Sequence, residues 1–141
     1  MPHKILFVDD DRYFARLYKA SLDKCFEVIV CYDALSAVKC LNDTPDVVCA
    51  VIDVMMPPPL GKKAECHDGN TTGLWVVSEC QESIVKKRIA LFMFTHLGVK
   101  FVKDEMLAFL QLESKITEVS SKASILAVDL PARIDAIISR R

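Results

Sequence analysis

The sequence predicts a doubly wound α/β domain, in which a parallel sheet is covered by helices on both faces. Two observations predict this fold: apolar segments of strand length end in polar residues, and they alternate with segments whose apolar residues recur at helical spacing. The chain has 141 residues, of which 52% are hydrophobic, so it can bury a substantial core. We expect a single domain over residues 1–141, with five strands, five helices and a long loop after the third strand.

The first half of the chain contains three predicted strands and two predicted helices. Residues 4–9 and 26–31 form the first two strands, and a third apolar segment ends at Asp53. The second helix is expected to end near residues 42–45, where Asn, Asp, Thr and Pro follow one another. The apolar stripes of the two helices are formed by Phe14, Leu17, Tyr18 and Leu22, and by Leu35, Val38 and Leu41.

The second half begins with a long polar loop. Three consecutive prolines, two glycines and several charged residues over about residues 57–72 are typical of a loop, and the third helix begins near Gly73. The fourth strand covers residues 89–94 and ends at Thr95, and the fifth, which is short and polar, covers residues 115–121. The remaining helices are predicted from Val102, Met106, Phe109 and Leu110, and from Ile134, Ile137 and Ile138 after an Asp129 cap and Pro131.

The charge balance and the cysteines exclude several functional classes. With 18 basic and 19 acidic residues, the net charge of -1 does not indicate a nucleic-acid-binding surface. No apolar segment approaches the roughly 18 to 20 residues that a membrane-spanning helix needs. Six cysteines without a CxxC pair predict reduced, mostly buried thiols rather than a disulfide framework. We expect a cytoplasmic protein that makes no direct contact with nucleic acid or with a membrane.

Three aspartates lie where two of the predicted strands end. Asp9 and Asp10 follow the first strand, and Asp53 closes the third. The carboxyl ends of parallel strands meet at one edge of the sheet, which is where ligands bind in open α/β folds. Carboxylates gathered there repel one another unless a cation lies between them, and Mg²⁺ suits a group of acids without softer ligands. The sequence therefore predicts a cation site at this edge.

Four segments at predicted strand ends resemble the receiver domains of bacterial two-component response regulators. They are ILFVDDD at residues 5–11, VIDVMMP at residues 51–57, Phe94-Thr95, and Ser121-Lys122-Ala123, and they occur in this order along the whole chain. The resemblance implies a flavodoxin-like fold with strand order 2-1-3-4-5. It also implies that an aspartate accepts a phosphoryl group from a phosphohistidine on a sensor histidine kinase or a histidine phosphotransfer protein.

The resemblance implies a role for each acid. Asp53 would be the phosphoacceptor, and Asp10 and Asp53 would bind Mg²⁺ directly. Asp9 would contribute through a metal-bound water, and the backbone carbonyl of Met55 is the remaining protein ligand. Asp11 is expected only to cap the first helix, because acids favour a helix N-terminus.

Thr95 and Lys122 are the two donors that could hold the other phosphoryl oxygens. A carboxylate is a poor nucleophile toward an anionic phosphoryl group unless its charge is neutralised, so positioning and electrostatics carry the reaction. The chain is then a signalling domain that catalyses its own phosphorylation and dephosphorylation rather than a conventional enzyme. It would act by phosphorelay or by binding a downstream protein target. Analogy with receivers suggests the surface from the fourth to the fifth predicted helix for that partner. The formation of a homodimer stays open.

The loop after the third strand departs from the receiver pattern. Receivers usually have a glycine much sooner after the phosphoacceptor than Gly73, so we interpret residues 57–72 as an insertion beside the site. Residues 65–68 are Glu65, Cys66, His67 and Asp68, but an isolated cluster of this kind is usually a solvated loop rather than a metal site. We expect the loop to gate partner access or to contact a specific partner.

Four further positions depart from the pattern. Met55 and Leu97 flank the site with apolar side chains that cannot orient an attacking water, which predicts a long-lived phosphorylated state. His96 stands where receivers commonly carry a small residue, and it either narrows access or has no role. Val119 replaces the usual switch aromatic, so the readout of phosphorylation must use other side chains.

Two alternative functions stay open. The first is a receiver-like scaffold that binds partners without being phosphorylated. The second is a Mg²⁺-dependent phosphatase with Asp53 as its nucleophile, although no second aspartate lies two residues after Asp53.

Overall fold

A computed structural model describes residues 2–96, 98–109 and 116–141 of the chain. It contains a five-stranded sheet in the order β2-β1-β3-β4-β5, and every neighbouring pair is parallel. The predicted flavodoxin-like strand order is therefore confirmed. The strands are β1 (Lys4–Val8), β2 (Glu27–Cys31), β3 (Val47–Asp53), β4 (Ala90–Thr95) and β5 (Thr117–Ser121).

Six α-helices accompany these strands within the described residues, so the predicted number of five is wrong. They are α1 (Arg12–Leu22), α2 (Ala34–Asp43), α3 (Thr72–Glu79), α4 (Gln81–Lys87), α5 (Val99–Phe109) and α6 (Leu130–Ile138).

The additional helix arises from a break at Cys80. The backbone leaves helical geometry there, with φ of -105° and ψ of 12°. The Cys80 side chain is buried, and its thiol donates to the carbonyl of Val38 in α2 at 3.6 Å. Apolar residues continue at helical spacing on both sides of the break, which is why the sequence predicts one helix across it.

Most predicted boundaries differ from the observed ones by one or two residues. Leu110, assigned to the fourth predicted helix, and Lys115, assigned to the fifth strand, lie outside the described residues. Asp129 occupies the N-cap position of α6, but its side chain makes no capping hydrogen bond, because a short 3₁₀ turn over Ala127–Asp129 precedes the helix. Asp11 caps α1 as predicted: its Oδ1 accepts from the backbone N–H of Phe14 at 3.0 Å.

The sheet has a different core on each face. One face packs against α1 and α6 and contains the aromatic residues Phe7, Phe92 and Phe94. The other packs against α2, α3, α4 and α5 and contains aliphatic and sulfur-containing residues. Because side chains alternate along a strand, neighbouring residues of β4 belong to opposite faces.

The inserted loop is tied to the end of β3 by backbone hydrogen bonds. The N–H of Met56 donates to the carbonyl of Gly69 at 3.2 Å, and the Thr72 hydroxyl donates to the carbonyl of Met56 at 2.6 Å. Gly69 has a φ of +96°, and a Cβ there would lie 2.8 Å from the Met56 carbonyl oxygen, so glycine is required. The loop is thus packed onto the strand that carries Asp53.

Two further predictions concern the state of the cysteines and the absence of a membrane-spanning helix. All six cysteines are free thiols, and four of them are buried, whereas Cys25 is exposed. Among the described residues, no helix combines the length and the apolar composition needed to cross a lipid bilayer.

Candidate functional site

The three predicted aspartates meet at the carboxyl edge of the sheet. β1 and β3 are neighbours, with Val8 opposite Ile52, so the residues that follow these strands emerge side by side. One carboxylate oxygen from each of Asp9, Asp10 and Asp53 lies within 4.8 Å of the others. Asp9 and Asp53 are almost fully buried, whereas Asp10 is exposed to solvent. The site therefore opens outward past Asp10.

Lys122 lies between the two buried carboxylates. Its Nζ is 2.9 Å from Oδ2 of Asp9 and 3.1 Å from Oδ2 of Asp53. Only 7% of its side chain is exposed. Two buried anions held by one cation form a network in which each charge compensates the others, and removal of one partner would leave a buried charge unpaired.

Thr95 closes the same edge. It ends β4, is fully buried, and pairs in register with Ser121 of β5. The backbone N–H of Lys122 donates to the Thr95 carbonyl at 3.0 Å. The structure thus brings all five predicted side chains of the site to one edge of the sheet.

Burial dominates the electrostatics of this site. Desolvation, followed by the charge of Asp9, raises the pKa of Asp53 to about 7, with Lys122 opposing both effects. For Lys122, burial is the largest single influence and lowers the pKa, but the hydrogen bonds to Asp9 and Asp53 and the charges of both acids together raise it above its usual value. Burial also raises the pKa of Asp10. In the absence of a metal, burial therefore favours the neutral forms of Asp53 and Asp10.

The donor set fits a hard divalent cation. Carboxylate oxygens are the ligands that Mg²⁺ prefers, and a divalent charge would offset the repulsion between Asp9 and Asp53. Within the described parts of the chain, these aspartates are the only group of three potential ligands of this kind. The Met55 backbone lies close by, because its N–H donates to Oδ1 of Asp53 at 3.3 Å. Its carbonyl as a ligand stays a prediction.

The cluster at residues 65–68 does not form a comparable group. Cys66 is buried, while the neighbouring acids and His67 are exposed. The His67 ring nitrogen Nδ1 is hydrogen-bonded to the hydroxyl of Thr71 at 2.8 Å.

Two aromatic residues of α1 contribute to the site, and the sequence assigned them only to the core. The ring of Phe14 lies against the Lys122 ammonium, with 4.3 Å between Nζ and the ring centroid. The Tyr18 hydroxyl donates to the carbonyl of Ile125, in the loop that follows Lys122. The two rings stack on each other at 4.3 Å. Phe14 and Tyr18 have the helical spacing of core residues whether or not they also hold Lys122 in place. The sequence therefore contains no signal that separates these two roles.

Gly73 is the third residue whose importance only the structure shows. Its N–H donates to the carbonyl of Val54 at 2.9 Å. A Cβ at this position would lie 2.8 Å from the Val54 Cα and closer still to the carbonyl oxygen of Asp53. Only glycine lets α3 approach the end of β3 this closely.

The unusual positions predicted around the site have different surroundings. Val119 is buried in β5 opposite Met93 and belongs to the aliphatic core, so an aromatic switch residue is absent from that position. Met55 is partly buried and His96 is exposed. Leu97 lies outside the described residues, and the predicted long lifetime of the phosphorylated state stays a prediction.

Comparison of the sequence with known proteins gives a partial match to a response regulator. No family model matches the sequence. Over 60 residues, 42% of this chain, it is 43% identical to the transcriptional regulatory protein CpxR of Klebsiella pneumoniae, and the matched stretch spans only 25% of that protein.

Solved structures match over nearly the whole chain. The signal receiver domain of a LuxO repressor protein from Vibrio parahaemolyticus has a TM-score of 0.72 at 15% identity, covering 99% of this chain and 92% of that one. A CheY-like response regulator receiver domain from Methanospirillum hungatei has a TM-score of 0.71 at 15% identity, covering 99% and 95%. The chain therefore has the CheY-like fold of response regulator receiver domains, and the resemblance recognised in its sequence is confirmed.

Proposed function

We propose that this chain is a receiver that accepts a phosphoryl group on Asp53 in a Mg²⁺-dependent reaction. The donor would be a sensor histidine kinase or a histidine phosphotransfer protein, and the signal would pass by phosphorelay or by binding of a downstream protein target. The observation that carries this proposal is Lys122, whose ammonium is within 3.1 Å of both buried carboxylates. Such an arrangement concentrates positive charge where an anionic phosphoryl group would arrive.

The proposed reaction is an in-line transfer. A carboxylate oxygen of Asp53 forms a bond to phosphorus as the bond from phosphorus to the donor imidazole nitrogen breaks, and that nitrogen keeps the electron pair. Mg²⁺, held by Asp10, Asp53 and the Met55 carbonyl, with Asp9 acting through a water, would neutralise charge on the phosphoryl oxygens. Lys122 and the Thr95 hydroxyl would donate to two of those oxygens.

The same groups would let the domain catalyse its own phosphorylation and dephosphorylation. Hydrolysis requires a water aligned with the Asp53–phosphorus bond, and the thioether of Met55 offers that water no useful hydrogen bond. We expect slow dephosphorylation for this reason. Replacement of Met55 by Asn should shorten the lifetime of the phosphorylated state.

A phosphodonor protein would have an apolar surface to dock on beside Lys122. α1 and the 3₁₀ turn after β5 pack against each other, and four large apolar side chains on them are at least half exposed: Tyr13, Leu17, Leu126 and Val128. α1 is also in contact with the loop that carries Lys122, through Phe14 at the Lys122 ammonium and the Tyr18 hydroxyl at the Ile125 carbonyl. We propose this surface for the donor, while the predicted surface for the downstream target, from the fourth predicted helix to the fifth, stays a prediction.

One experiment tests the function directly. The protein is incubated with Mg²⁺ and acetyl phosphate or beryllofluoride, and its mass and partner affinity are measured alongside those of an Asp53→Ala variant. A mass gain of one phosphoryl group that Asp53→Ala abolishes supports the proposal. No modification, with partner affinity unaffected by Asp53→Ala, favours the unphosphorylated scaffold, and sustained turnover of a phosphate ester favours the phosphatase.

We further propose a single domain over residues 1–141, a cytoplasmic location and a homodimer. Analytical ultracentrifugation with and without beryllofluoride would test the last of these.

A further inference from the structure

A groove separates the inserted loop and α3 from α5. It consists of two adjoining cavities of about 150 and 330 Å³, which share His67, Thr71 and Glu105 in their walls. Trp75 lines the smaller cavity and Phe101 lines the larger one. The groove is therefore built largely by the insertion that distinguishes this chain.

The walls of the groove are acidic and aromatic. Glu65 and Glu105 line the groove, and among the described residues neither cavity is lined by a lysine or an arginine. Glu65 has Lys62 at 3.4 Å on the exposed surface, whereas the Glu105 side chain has no ion pair or hydrogen bond among the described residues. Phe101 is 49% exposed, which is high for a large apolar side chain. Carboxylates beside aromatic faces attract an organic cation.

Trp75 provides a second, independent observation. Its indole Nε1 is buried and has no hydrogen-bond partner within the described parts of the chain. A buried donor without an acceptor carries a free-energy cost that a small adjustment toward an incoming carbonyl would remove. Within the described residues, the Trp75 indole N–H thus lacks an acceptor, and the Glu105 carboxylate lacks a cation.

A metal ion is not the occupant that this groove fits. Although His67 and the two glutamates share it, the only described group of three His, Cys, Asp or Glu ligands close enough to hold a metal is the aspartate cluster of the phosphoacceptor site. The complementary ligand is instead a protein segment, because the guanidinium or ammonium group of such a segment supplies the charge and its backbone supplies carbonyl acceptors.

We propose that this groove binds an arginine or lysine side chain from a basic segment of a protein partner. The charged group lies between Glu105 and the aromatic side chains Trp75 and Phe101. This surface is separate from the phosphoacceptor site and gives the insertion a specific role, namely partner selection.

The groove is also positioned to respond to phosphorylation, an extension that rests on the proposed function. One wall follows β3, and its Gly69 carbonyl accepts from the N–H of Met56, three residues after Asp53. The opposite wall, α5, begins at Val99, shortly after Thr95. A shift of Thr95 toward a phosphoryl group would therefore change the separation of the two walls. We expect the affinity for the basic segment to differ between the free and the beryllofluoride-treated protein.

The single tryptophan of the chain is Trp75, so its fluorescence reports on this groove directly. The full chain is titrated with a short Arg-Gly peptide and with a neutral peptide in which citrulline replaces arginine, and heat is measured in parallel. We expect the arginine peptide to bind and to perturb the fluorescence. Equal responses to the two peptides, or no response to either, would overturn the proposal.

Matched charge variants locate the binding site. Glu105→Gln should weaken arginine-peptide binding on the order of two- to five-fold, because single exposed charge pairs are worth up to about 1 kcal/mol. Glu79→Gln removes the same charge from an exposed position outside the groove and should leave the affinity unchanged. If both variants weaken binding equally, the peptide senses only net charge and the groove is not its site.

The coupling to phosphorylation has its own readout. Beryllofluoride should change the peptide affinity of the wild-type chain and not that of Asp53→Ala. An unchanged affinity, despite demonstrated beryllofluoride binding at Asp53, would refute the coupling and leave the proposed function intact. If beryllofluoride does not bind at all, the proposed function and the coupling both fail, whereas the peptide titration and the Glu105→Gln comparison still decide whether the groove binds basic segments.

Discussion

On the face of the sheet covered by α1 and α6 the core is aromatic, whereas on the face covered by α2 to α5 it is aliphatic and rich in sulfur. The aromatic face holds Lys122 in place: Phe14 contacts its ammonium, and Tyr18 is bonded to the loop that follows it. The aliphatic face contains Val119 and the residues of α5 that pack on the sheet, Val102 and Met106.

This difference indicates where the domain can move. Rings packed edge to face have few alternative arrangements, whereas methionine side chains adapt easily to a shifted neighbour. A response to phosphorylation is therefore expected on the aliphatic face, at Thr95 and α5, while Lys122 stays fixed. Val119 fits this division, because the position usually given to a moving aromatic belongs to the adaptable face.

We expect the largest loss of stability from a substitution at Gly73, where α3 on the aliphatic face meets the end of β3. Gly73→Ala would press a Cβ into the backbone of Asp53 and Val54, with 2.8 Å to the Val54 Cα, so α3 must move away. We expect a loss of about 4 kcal/mol or more in the free energy of unfolding, measured by urea titration.

Gly98→Ala is the matched control, because a Cβ there meets nothing within 4 Å. Gly98→Ala should lower the free energy of unfolding by less than about 1 kcal/mol, mainly because residue 98 directly precedes α5 and alanine is a poorer residue there than glycine. Similar losses in the two variants would mean that the approach of α3 to β3 is not tight.

Particular residues show how much of this could be predicted from the sequence. Asp9, Asp10 and Asp53 were identifiable because each follows an apolar strand, and parallel strands bring their carboxyl ends to one edge. Lys122 was harder to identify, because its strand has only a short and polar pattern. It depended on the resemblance to receivers, and the structure places it between Asp9 and Asp53.

Other features could not be predicted, for physical reasons. The break at Cys80 leaves the apolar periodicity unchanged, so no local pattern marks it. The contact of Phe14 with Lys122 joins residues 108 positions apart in the sequence and uses a helix position that also suits a core residue. The groove beside Trp75 depends on how the inserted loop packs, and turn-forming residues alone do not determine packing.

The pH dependence of the free energy of unfolding tests the protonation of Asp53, the buried carboxylate at the end of β3. The pKa of Asp53 is raised from 3.8 to about 7, mainly by burial and then by Asp9. Between about pH 4 and pH 7 the folded state keeps a proton that the unfolded state releases, so stability falls as pH rises through this window. Each pKa unit is worth about 1.4 kcal/mol, so the metal-free protein should lose at most about 4 kcal/mol.

Thermal unfolding in EDTA across this range measures the fall. Excess Mg²⁺ should reduce it, because a bound cation favours the ionised carboxylate, and Asp53→Asn should remove it. A metal-free protein whose stability rises from pH 5 to pH 7, or an Asp53→Asn variant that keeps the fall, would contradict this origin.

Substitutions at two neighbouring residues of β4 allow the two faces of the sheet to be compared within one strand. Phe92 and Met93 are both fully buried, and they belong to the aromatic and the aliphatic core respectively. Phe92→Leu loses volume and the edge-to-face contact with Phe94 at 5.1 Å, so we expect a cost of about 2 kcal/mol. Met93→Leu conserves volume and should cost less than about 1.5 kcal/mol. Denaturant titrations that give the reverse order would refute the contrast between a rigid and an adaptable face.

The smallest effect on stability is expected at Phe14, where a kinetic readout separates packing from support of Lys122. Phe14→Leu keeps an apolar side chain but removes the ring beneath the ammonium. Because the Lys122 side chain is only 7% exposed, this contact is worth about 1 kcal/mol, between the values for exposed and for desolvated sites. With less restraint on Lys122, the rate of Asp53 modification by acetyl phosphate should fall.

Tyr13→Leu also replaces an aromatic ring by leucine, and removes a hydroxyl group as well, one residue earlier in α1. Its side chain is 78% exposed, so neither the rate nor the stability should change by a measurable amount. Phosphorylation rates that are equal in Phe14→Leu and Tyr13→Leu would show that the aromatic face only packs. A lower rate in Phe14→Leu alone would show that it also positions the lysine, because Tyr13 shares the helix and the ring but not the contact with Lys122.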